Sequence, residues 1–236
     1  MSRVGVIAAL PAEAACLAGR GITPNKPHRI GDNLIVMVTG TGSDRASTGA
    51  TKLLAFDVQS LVSWGIAGAL DISLRTGDVI IPETIIHASQ TFVTKPDWRQ
   101  RLCHNMQKNN IRVSSGTIAE TDEILTSPET KTHVYNTTGA VAVDMESAAI
   151  AAVAAAADID FMVIRSISDD ATTSVPDVVL NHTNCYGRPV QPGFIFEVLR
   201  HPNQIKILIH LARSFETARR TLQHIARCTS AKLLYE

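Results

Sequence analysis

The sequence lacks the features that mark disulfide-rich, zinc-binding or nucleic-acid-binding proteins. Its four cysteines, Cys16, Cys103, Cys185 and Cys228, are scattered and form no CxxC pair. A disulfide scaffold or zinc ribbon is therefore not expected, and a reducing cytoplasm is the default location. Lys plus Arg (22) equals Asp plus Glu (22), which excludes a chain-wide basic field. We therefore expect no nucleic-acid partner.

Long apolar runs are also missing. The run at residues 4–9 is too short for the core of a signal peptide. The longest run, residues 148–157, is about half of the roughly 20 residues that a membrane span needs. Hydrophobic residues still make up 45% of the 236 residues, against 19% charged residues, so there is ample material for a buried core.

Short β-branched runs alternate with Ala/Leu-rich segments, and this alternation predicts an α/β fold in which helices cover a sheet. The predicted strands are 4–9, 33–39, 60–66, 78–86, 113–119, 141–144 and 161–167. The predicted helices are 12–20, 44–56, 97–109, 127–135, 146–157 and 204–227. Internal repeats and breaks in composition are absent, so residues 1–236 are expected to form a single domain.

Residues 172–202 are rich in Pro and Gly and show little periodicity. They predict a long excursion between the last core strand and the last helix, and loops of this length are usually functional or mobile. The terminal helix, 204–227, is amphipathic with a basic face. That pattern is typical of a helix packed on the sheet with a solvated basic side, and equally of a helix on a membrane surface.

Familiar cofactor and nucleophile motifs are incomplete. Residues 40–45 begin like a dinucleotide fingerprint, but Arg45 stands where the third glycine belongs, and no P-loop follows. The turn still offers backbone N–H groups to a polar ligand. The eight histidines form no HExxH arrangement, and no GxSxG elbow is present. We expect neither a metal nor a cofactor.

Acidic residues follow three of the predicted strands. Glu13 comes after the first strand, Asp144 and Glu146 follow the strand at 141–144, and Asp169 follows the strand at 161–167. The carboxyl ends of strands are where open α/β sheets bind ligands. Each acid taken singly is explained as well by a helix cap or an exposed turn. Together they favour a shared crevice.

Five segments, in this order and spacing, resemble the superfamily of purine nucleoside phosphorylases and methylthioadenosine/S-adenosylhomocysteine nucleosidases. They are Gly5-Val6-Ile7-Ala8-Ala9 with Glu13; Thr39-Gly40-Thr41-Gly42; Trp64-Gly65-Ile66-Ala67-Gly68-Ala69-Leu70 with Gly77-Asp78-Val79; Val143-Asp144-Met145-Glu146; and Arg165-Ser166-Ile167-Ser168-Asp169. Downstream, residues 184–189 and 201–204 resemble the hopanoid-associated phosphorylase branch, which is thought to remove adenine from adenosylhopane. The resemblance implies a three-layer αβα sandwich with a central twisted mixed sheet, and a homo-oligomer, with a dimer favoured.

The resemblance also implies cleavage of the N-glycosidic bond of a purine nucleoside. By this resemblance, Asp169 is expected to protonate purine N7, Glu146 to accept hydrogen bonds from the ribose hydroxyls, and Glu13 to activate water. The residues expected to contact the substrate are Met145, Arg165, Ile124, Gly68 and Ile66. Ile124 stands where many relatives present an aromatic ring to the base.

The choice between water and phosphate stays open at this point. Ser63 and Ile66 stand where hexameric phosphorylases place an Arg and a Ser, and residues 8–12 hold no Arg, so hydrolysis is favoured. Arg165 either binds the phosphate anion or pairs with a neighbouring carboxylate. The alternatives are a phosphorylase that yields a ribose 1-phosphate and a non-catalytic nucleoside-binding protein.

The excursion replaces a shorter lid of the relatives and is expected to remodel the pocket for the 5′ substituent. This fits a small-molecule purine nucleoside that is lipid-linked. It also fits a cytoplasmic protein that contacts the inner membrane face peripherally through its last helix.

Overall fold

The computed structural model describes residues 3–19, 21–190, 200 and 204–228. The strands are β1 (Val4–Ala8), β2 (His28–Ile30), β3 (Leu34–Val38), β4 (Ser60–Ala69), β5 (Val79–Ile80), β6 (Thr84–His87), β7 (Gln90–Val93), β8 (Val113–Ser114), β9 (Thr117–Glu120), β10 (Ala142–Asp144) and β11 (Asp160–Asp169). The helices are α1 (Pro11–Ala18), α2 (Ser43–Leu54), α3 (Pro96–Lys108), α4 (Pro128–Thr138), α5 (Ser147–Ala156), α6 (Asp177–Asn181) and α7 (Ile205–Cys228). Residue 20 of the first predicted helix, residues 191–199 and 201–202 of the predicted excursion, and residue 203 lie outside the described residues.

All eleven strands belong to one mixed sheet. The order along its main path is β2-β3-β1-β4-β10-β9-β6-β7, and β11 pairs with β4 and β5 beside this path. β1 and β11 run parallel to β4, whereas β10 runs antiparallel to it. The long strand β4 therefore pairs with three other strands and brings their ends together.

Helices cover both faces of this sheet. One apolar cluster joins the sheet to α2 and α5, through side chains such as Leu53 and Ile150. A second cluster joins the opposite face to α1, α3 and α7, through side chains such as Trp98 and Leu222. The predicted three-layer αβα sandwich with a mixed sheet is confirmed.

Two predicted strands are interrupted in the structure. The strand predicted at 78–86 divides into β5 and β6 around Pro82, which has no N–H to donate to a ladder. The strand predicted at 113–119 divides into β8 and β9 at Gly116, whose φ is +132°. The sequence analysis missed β2 and β7. Each is a short edge strand that forms a hairpin with its neighbour.

The terminal helix is buried only along its second part. α7 packs against β11 and α1, and the residues buried there are Ser214, Ala218, Leu222 and Ile225. Near its start, Ile205, Ile207 and Ile209 are 37–46% exposed. The packing of the terminal helix on the sheet, one of the two alternatives that the sequence leaves open, is therefore seen only in its second part. Within the described ranges, no helix combines the length and the apolar character needed to cross a membrane.

The described part of the excursion, up to residue 190, contacts the rest of the fold. It contains α6 and a β-bridge between Thr183 and Pro189. The carbonyl oxygen of Cys185 accepts a hydrogen bond from the N–H of Thr41 at 2.8 Å. The excursion thereby closes over the turn that precedes α2.

Candidate active site

A cavity of about 600 Å³ lies where the ends of β1, β4, β10 and β11 meet. Glu13, Glu146 and Asp169 all line it, although 156 positions of the chain separate the first from the last. The shared crevice that the acids predicted is therefore present. The antiparallel direction of β10 does not prevent this, because β10 is only three residues long and its last residue reaches the same place.

Glu13 is held rigidly in the first turn of α1 and is 2% exposed. Its Oε2 accepts the N–H of Leu10 at 2.8 Å, and its Oε1 accepts the N–H of Ile66 at 2.9 Å. The indole N–H of Trp64 donates to the carbonyl oxygen of Glu13 at 3.1 Å. Burial raises the pKa of Glu13, and the charge of Arg165 and the backbone N–H groups offset this only in part. Glu13 is thus a carboxylate with an increased affinity for a proton.

Arg165 lies behind the cavity wall and not among its lining residues, with its side chain 2% exposed. Its Nε donates to Asp144 Oδ2 at 2.8 Å, and its Nη2 donates to Ser63 Oγ at 2.8 Å and to Ser147 Oγ at 3.2 Å. Its Nη2 also lies 3.5 Å from Glu146 Oε2. Direct substrate contact by Arg165 is therefore wrong for this structure, because the guanidinium is buried behind the cavity wall and its Nε and Nη2 contact buried carboxylates and hydroxyls. The paired role left open by the sequence is the one observed.

Glu146 sits at the N-terminal end of α5 and is 6% exposed. Its Oε1 accepts the N–H of Gly42 at 3.0 Å, which ties it to the turn before α2. Burial raises the pKa of Glu146 to about 7, Arg165 opposes the rise and the nearby carboxylate of Asp144 adds to it. Asp144 also accepts the N–H groups of Glu146 and Ser147, at 3.2 and 3.1 Å, and so caps α5.

A bulge in β11 presents Asp169 to the cavity. Ile167 pairs with Ala67 but Asp169 pairs with Gly68, so the strand carries one additional residue at this point. Such bulges redirect a side chain next to a site. Gly68 has no Cβ, and one placed there would lie 3.2 Å from Asp169 Oδ2, so a larger residue would crowd the carboxylate.

A lysine that the sequence analysis missed pairs with Asp169. Lys131 of α4 is fully buried, and its Nζ lies 2.5 Å from Asp169 Oδ2. Asp169 Oδ1 accepts the hydroxyl of Ser168 at 2.7 Å. No local signal marks this lysine, since a lysine in a polar helix is ordinarily solvated. Only the tertiary structure, which brings Lys131 of α4 to the end of β11, reveals the pair.

The other residues predicted to contact the substrate line the cavity. They are Met145, Ile124, Gly68 and Ile66. Ile124 is 46% exposed and so lies at the rim. Further apolar lining side chains come from α1, the excursion and α7, and the sequence analysis did not single them out. They include Leu10, Val175, Val179, Tyr186 and Phe215.

Comparisons with known proteins identify the family and the fold. A family model described as the phosphorylase superfamily matches residues 3–185. A 5′-methylthioadenosine/S-adenosylhomocysteine nucleosidase from Mycobacterium bovis is 25% identical over 217 residues, covering 70% of this chain and 85% of the relative. The protein of that name from Shewanella pealeana is 28% identical over 206 residues, covering 74% and 89%.

Two solved structures share the fold. Futalosine hydrolase of Helicobacter pylori superposes with a TM-score of 0.72 at 18% identity, covering 96% of each chain. The 5′-methylthioadenosine/S-adenosylhomocysteine nucleosidase from Neisseria meningitidis, in complex with methylthio-immucillin-A, gives a TM-score of 0.73 at 18% identity, covering 97% and 98%. Since the family model spans most of the sequence, this chain belongs to the phosphorylase superfamily and is an enzyme of the nucleosidase and nucleoside phosphorylase kind.

Proposed function

We propose that this enzyme hydrolyses the N-glycosidic bond of a 5′-modified adenosine and releases adenine, and that residues 1–236 act as a single domain. The observation that carries the proposal is the convergence of Glu13, Glu146 and Asp169 on one cavity. The relatives named above are nucleosidases, which supports cleavage of an adenine nucleoside.

Cleavage has two electrostatic requirements. The leaving purine needs a proton at N7, because its anion is a poor leaving group, and Asp169 is the acid placed for this at the end of β11. The sugar becomes oxocarbenium-like, and Glu146 accepts hydrogen bonds from its hydroxyls while its negative charge favours the cationic sugar. Met145 lies beside Glu146 and packs against the ribose.

Glu13 supplies the general base for the attacking water. Its buried carboxylate has a raised pKa, so it takes up a proton nearer neutral pH than an exposed glutamate does. Phosphate would need cations, and the guanidinium of Arg165 is already occupied by Asp144 and two serines. A phosphorylase is the second candidate, because Arg188 of the excursion is exposed and lines the same cavity.

The substrate that we propose carries an extended apolar 5′ substituent, as adenosylhopane does in hopanoid biosynthesis. Support comes from the apolar lining at the excursion side of the cavity, which includes Val175, Val179 and Phe215. The exposed isoleucines near the start of α7 and the neighbouring Lys206 support peripheral contact with a membrane. We also propose a homodimer, which is what the resemblance of the sequence to the superfamily implies.

The test is adenine release from 5′-methylthioadenosine, S-adenosylhomocysteine and adenosylhopane, each with and without phosphate. We expect release without phosphate, a free sugar as the second product, and the highest kcat/KM for the apolar 5′ substituent. Strict dependence on phosphate with a ribose 1-phosphate product would establish the phosphorylase instead. Tight nucleoside binding without turnover would identify a binding protein. Co-sedimentation with anionic liposomes and light scattering test the membrane contact and the dimer.

A further inference from the structure

The ammonium group of Lys131 is buried and all of its donors are used. Besides Asp169 Oδ2, its Nζ donates to the carbonyl oxygen of Asp170 at 2.8 Å and to that of Thr173 at 3.1 Å. An ammonium has three N–H donors, and each has one acceptor here. Lys131 lines the cavity, but it has no donor left for a ligand, so we expect its effect on the reaction to pass through Asp169.

Asp169 is the carboxylate that forms an ion pair with Lys131. The neighbouring carboxylate of Asp170 accepts hydrogen bonds from Thr172 and Thr173 and not from Lys131. On α4 itself, Glu129 and His133 are exposed. Residues 171–176, among which the carbonyl oxygen of Thr173 accepts from the ammonium, carry no charged side chain. Within the described part of the chain, Asp169 is thus the carboxylate that forms an ion pair with Lys131. Against desolvation, the hydrogen bonds from Thr173 and Thr172 and the nearby charge of Lys131 together lower the pKa of Asp170.

Burying an ammonium is costly. A neutral hydrogen-bond donor would be enough to connect α4 to the carbonyl oxygens of the turn at 170–173. A purely structural role therefore does not explain why the buried side chain at position 131 carries a charge. It also conflicts with the proposed role of Asp169, because a carboxylate paired with an ammonium carries no proton to give to a base. The conflict is removed if the lysine itself holds the proton.

We propose that Lys131 is a positioning residue that stores the proton which Asp169 delivers to the leaving purine. This inference rests on the proposed function. The Nζ–H bond of Lys131 breaks and an O–H bond forms on Asp169. That proton then passes to N7 as the C1′–N9 bond breaks and its electron pair enters the purine ring. Water bonds to C1′ and gives its proton to Glu13. After product release, solvent takes the proton from Glu13 and returns one to Lys131.

The storage role predicts a specific pH dependence. In Lys131→Met and Lys131→Gln, an isolated Asp169 must take its proton from solvent, and an ordinary aspartic acid is ionised at neutral pH. We expect kcat/KM at pH 7.5 to fall by about 10²–10⁴-fold, the usual contribution of a general acid. The ratio of variant to wild-type kcat/KM should then rise about tenfold per pH unit as the pH is lowered toward 5. Taking the ratio cancels the titration of Glu13, which both proteins share.

Lys131→Arg separates charge from proton storage. A guanidinium keeps the ion pair but does not give up its proton. We expect Lys131→Arg to lose activity at pH 7.5 and to recover less than Lys131→Met at low pH. Lys108→Met, which removes an exposed lysine at the end of α3, is the matched control and should behave as wild type. Lys131→Gln keeps two N–H donors for the carbonyl oxygens and tests the proposal should Lys131→Met fail to fold.

Adenine release is measured for all variants between pH 5 and 9 with the adenosine derivative that the wild type cleaves fastest. Melting temperatures confirm that each variant is folded. A variant-to-wild-type ratio that does not change with pH would assign Lys131 a structural role and overturn the proposal. Wild-type-like activity of Lys131→Arg would also overturn it, since charge alone would then suffice. A wild type that releases no adenine from any substrate fails earlier and overturns the proposed function itself.

Discussion

Replacing Glu146 by Gln is expected to change the way in which the stability of the protein depends on pH. The pKa of this carboxyl is about 7 in the folded protein, against an ordinary value of 4.5. Between these two pH values the folded state holds a proton that the unfolded state has lost. The free energy of unfolding of the wild type therefore falls as the pH rises through this window.

The size of the effect follows from the same shift. At about 1.4 kcal/mol for each pKa unit, Glu146 lowers the wild-type stability by about 3 kcal/mol between pH 4.5 and 7. Glu146→Gln has no charge to bury and loses this dependence. The amide still accepts the N–H of Gly42, while its own N–H₂ group facing Arg165 adds a constant cost. The slope against pH, and not the stability at one pH, is therefore the decisive quantity.

The assay is urea denaturation at pH values from 4.5 to 8, followed by circular dichroism. Between pH 4.5 and 7, the free energy of unfolding of the wild type should fall by about 3 kcal/mol more than that of Glu146→Gln. Glu123→Gln, an exposed glutamate after β9, serves as the control and should keep the wild-type slope. Parallel curves for wild type and Glu146→Gln would refute the reasoning, because Glu146 would then be ionised in the folded state at pH 5 to 6. Adenine release by Glu146→Gln should be strongly reduced at every pH.

Three further changes test the buried charges. Arg165→Met should lower the free energy of unfolding by about 3–5 kcal/mol in urea, because it leaves buried carboxylates without their cation. Asp169→Asn should reduce adenine release by about 10²–10⁴-fold and lower the melting temperature, because it leaves the buried ammonium of Lys131 without its carboxylate; unchanged turnover of the folded variant would remove Asp169 as the acid. Gly65→Ala should lower both stability and kcat, because a Cβ there would overlap the guanidinium of Arg165 and the carboxylate of Glu13. A melting temperature and a kcat equal to those of the wild type would show that Arg165 and Glu13 can move to make room for the added methyl group.

The amino-acid sequence by itself determined the framework and the three acids. Apolar β-branched runs predicted β1, β4 and β11, because strands buried on both faces need continuous apolar residues. The motifs around Glu13, Glu146 and Asp169 indicated the superfamily and a shared crevice, since each acid follows an apolar strand.

The tertiary structure alone decided how the charges are used. Whether Arg165 faces a ligand or the interior depends on the register of β11 against β4, which local spacing does not encode. The pairing of Lys131 with Asp169 depends on α4 packing against a strand that begins 29 positions further along the chain. Local propensity acts over a few residues. The partners of a buried charge are instead the side chains that the fold brings close to it, and these can be far away in the sequence.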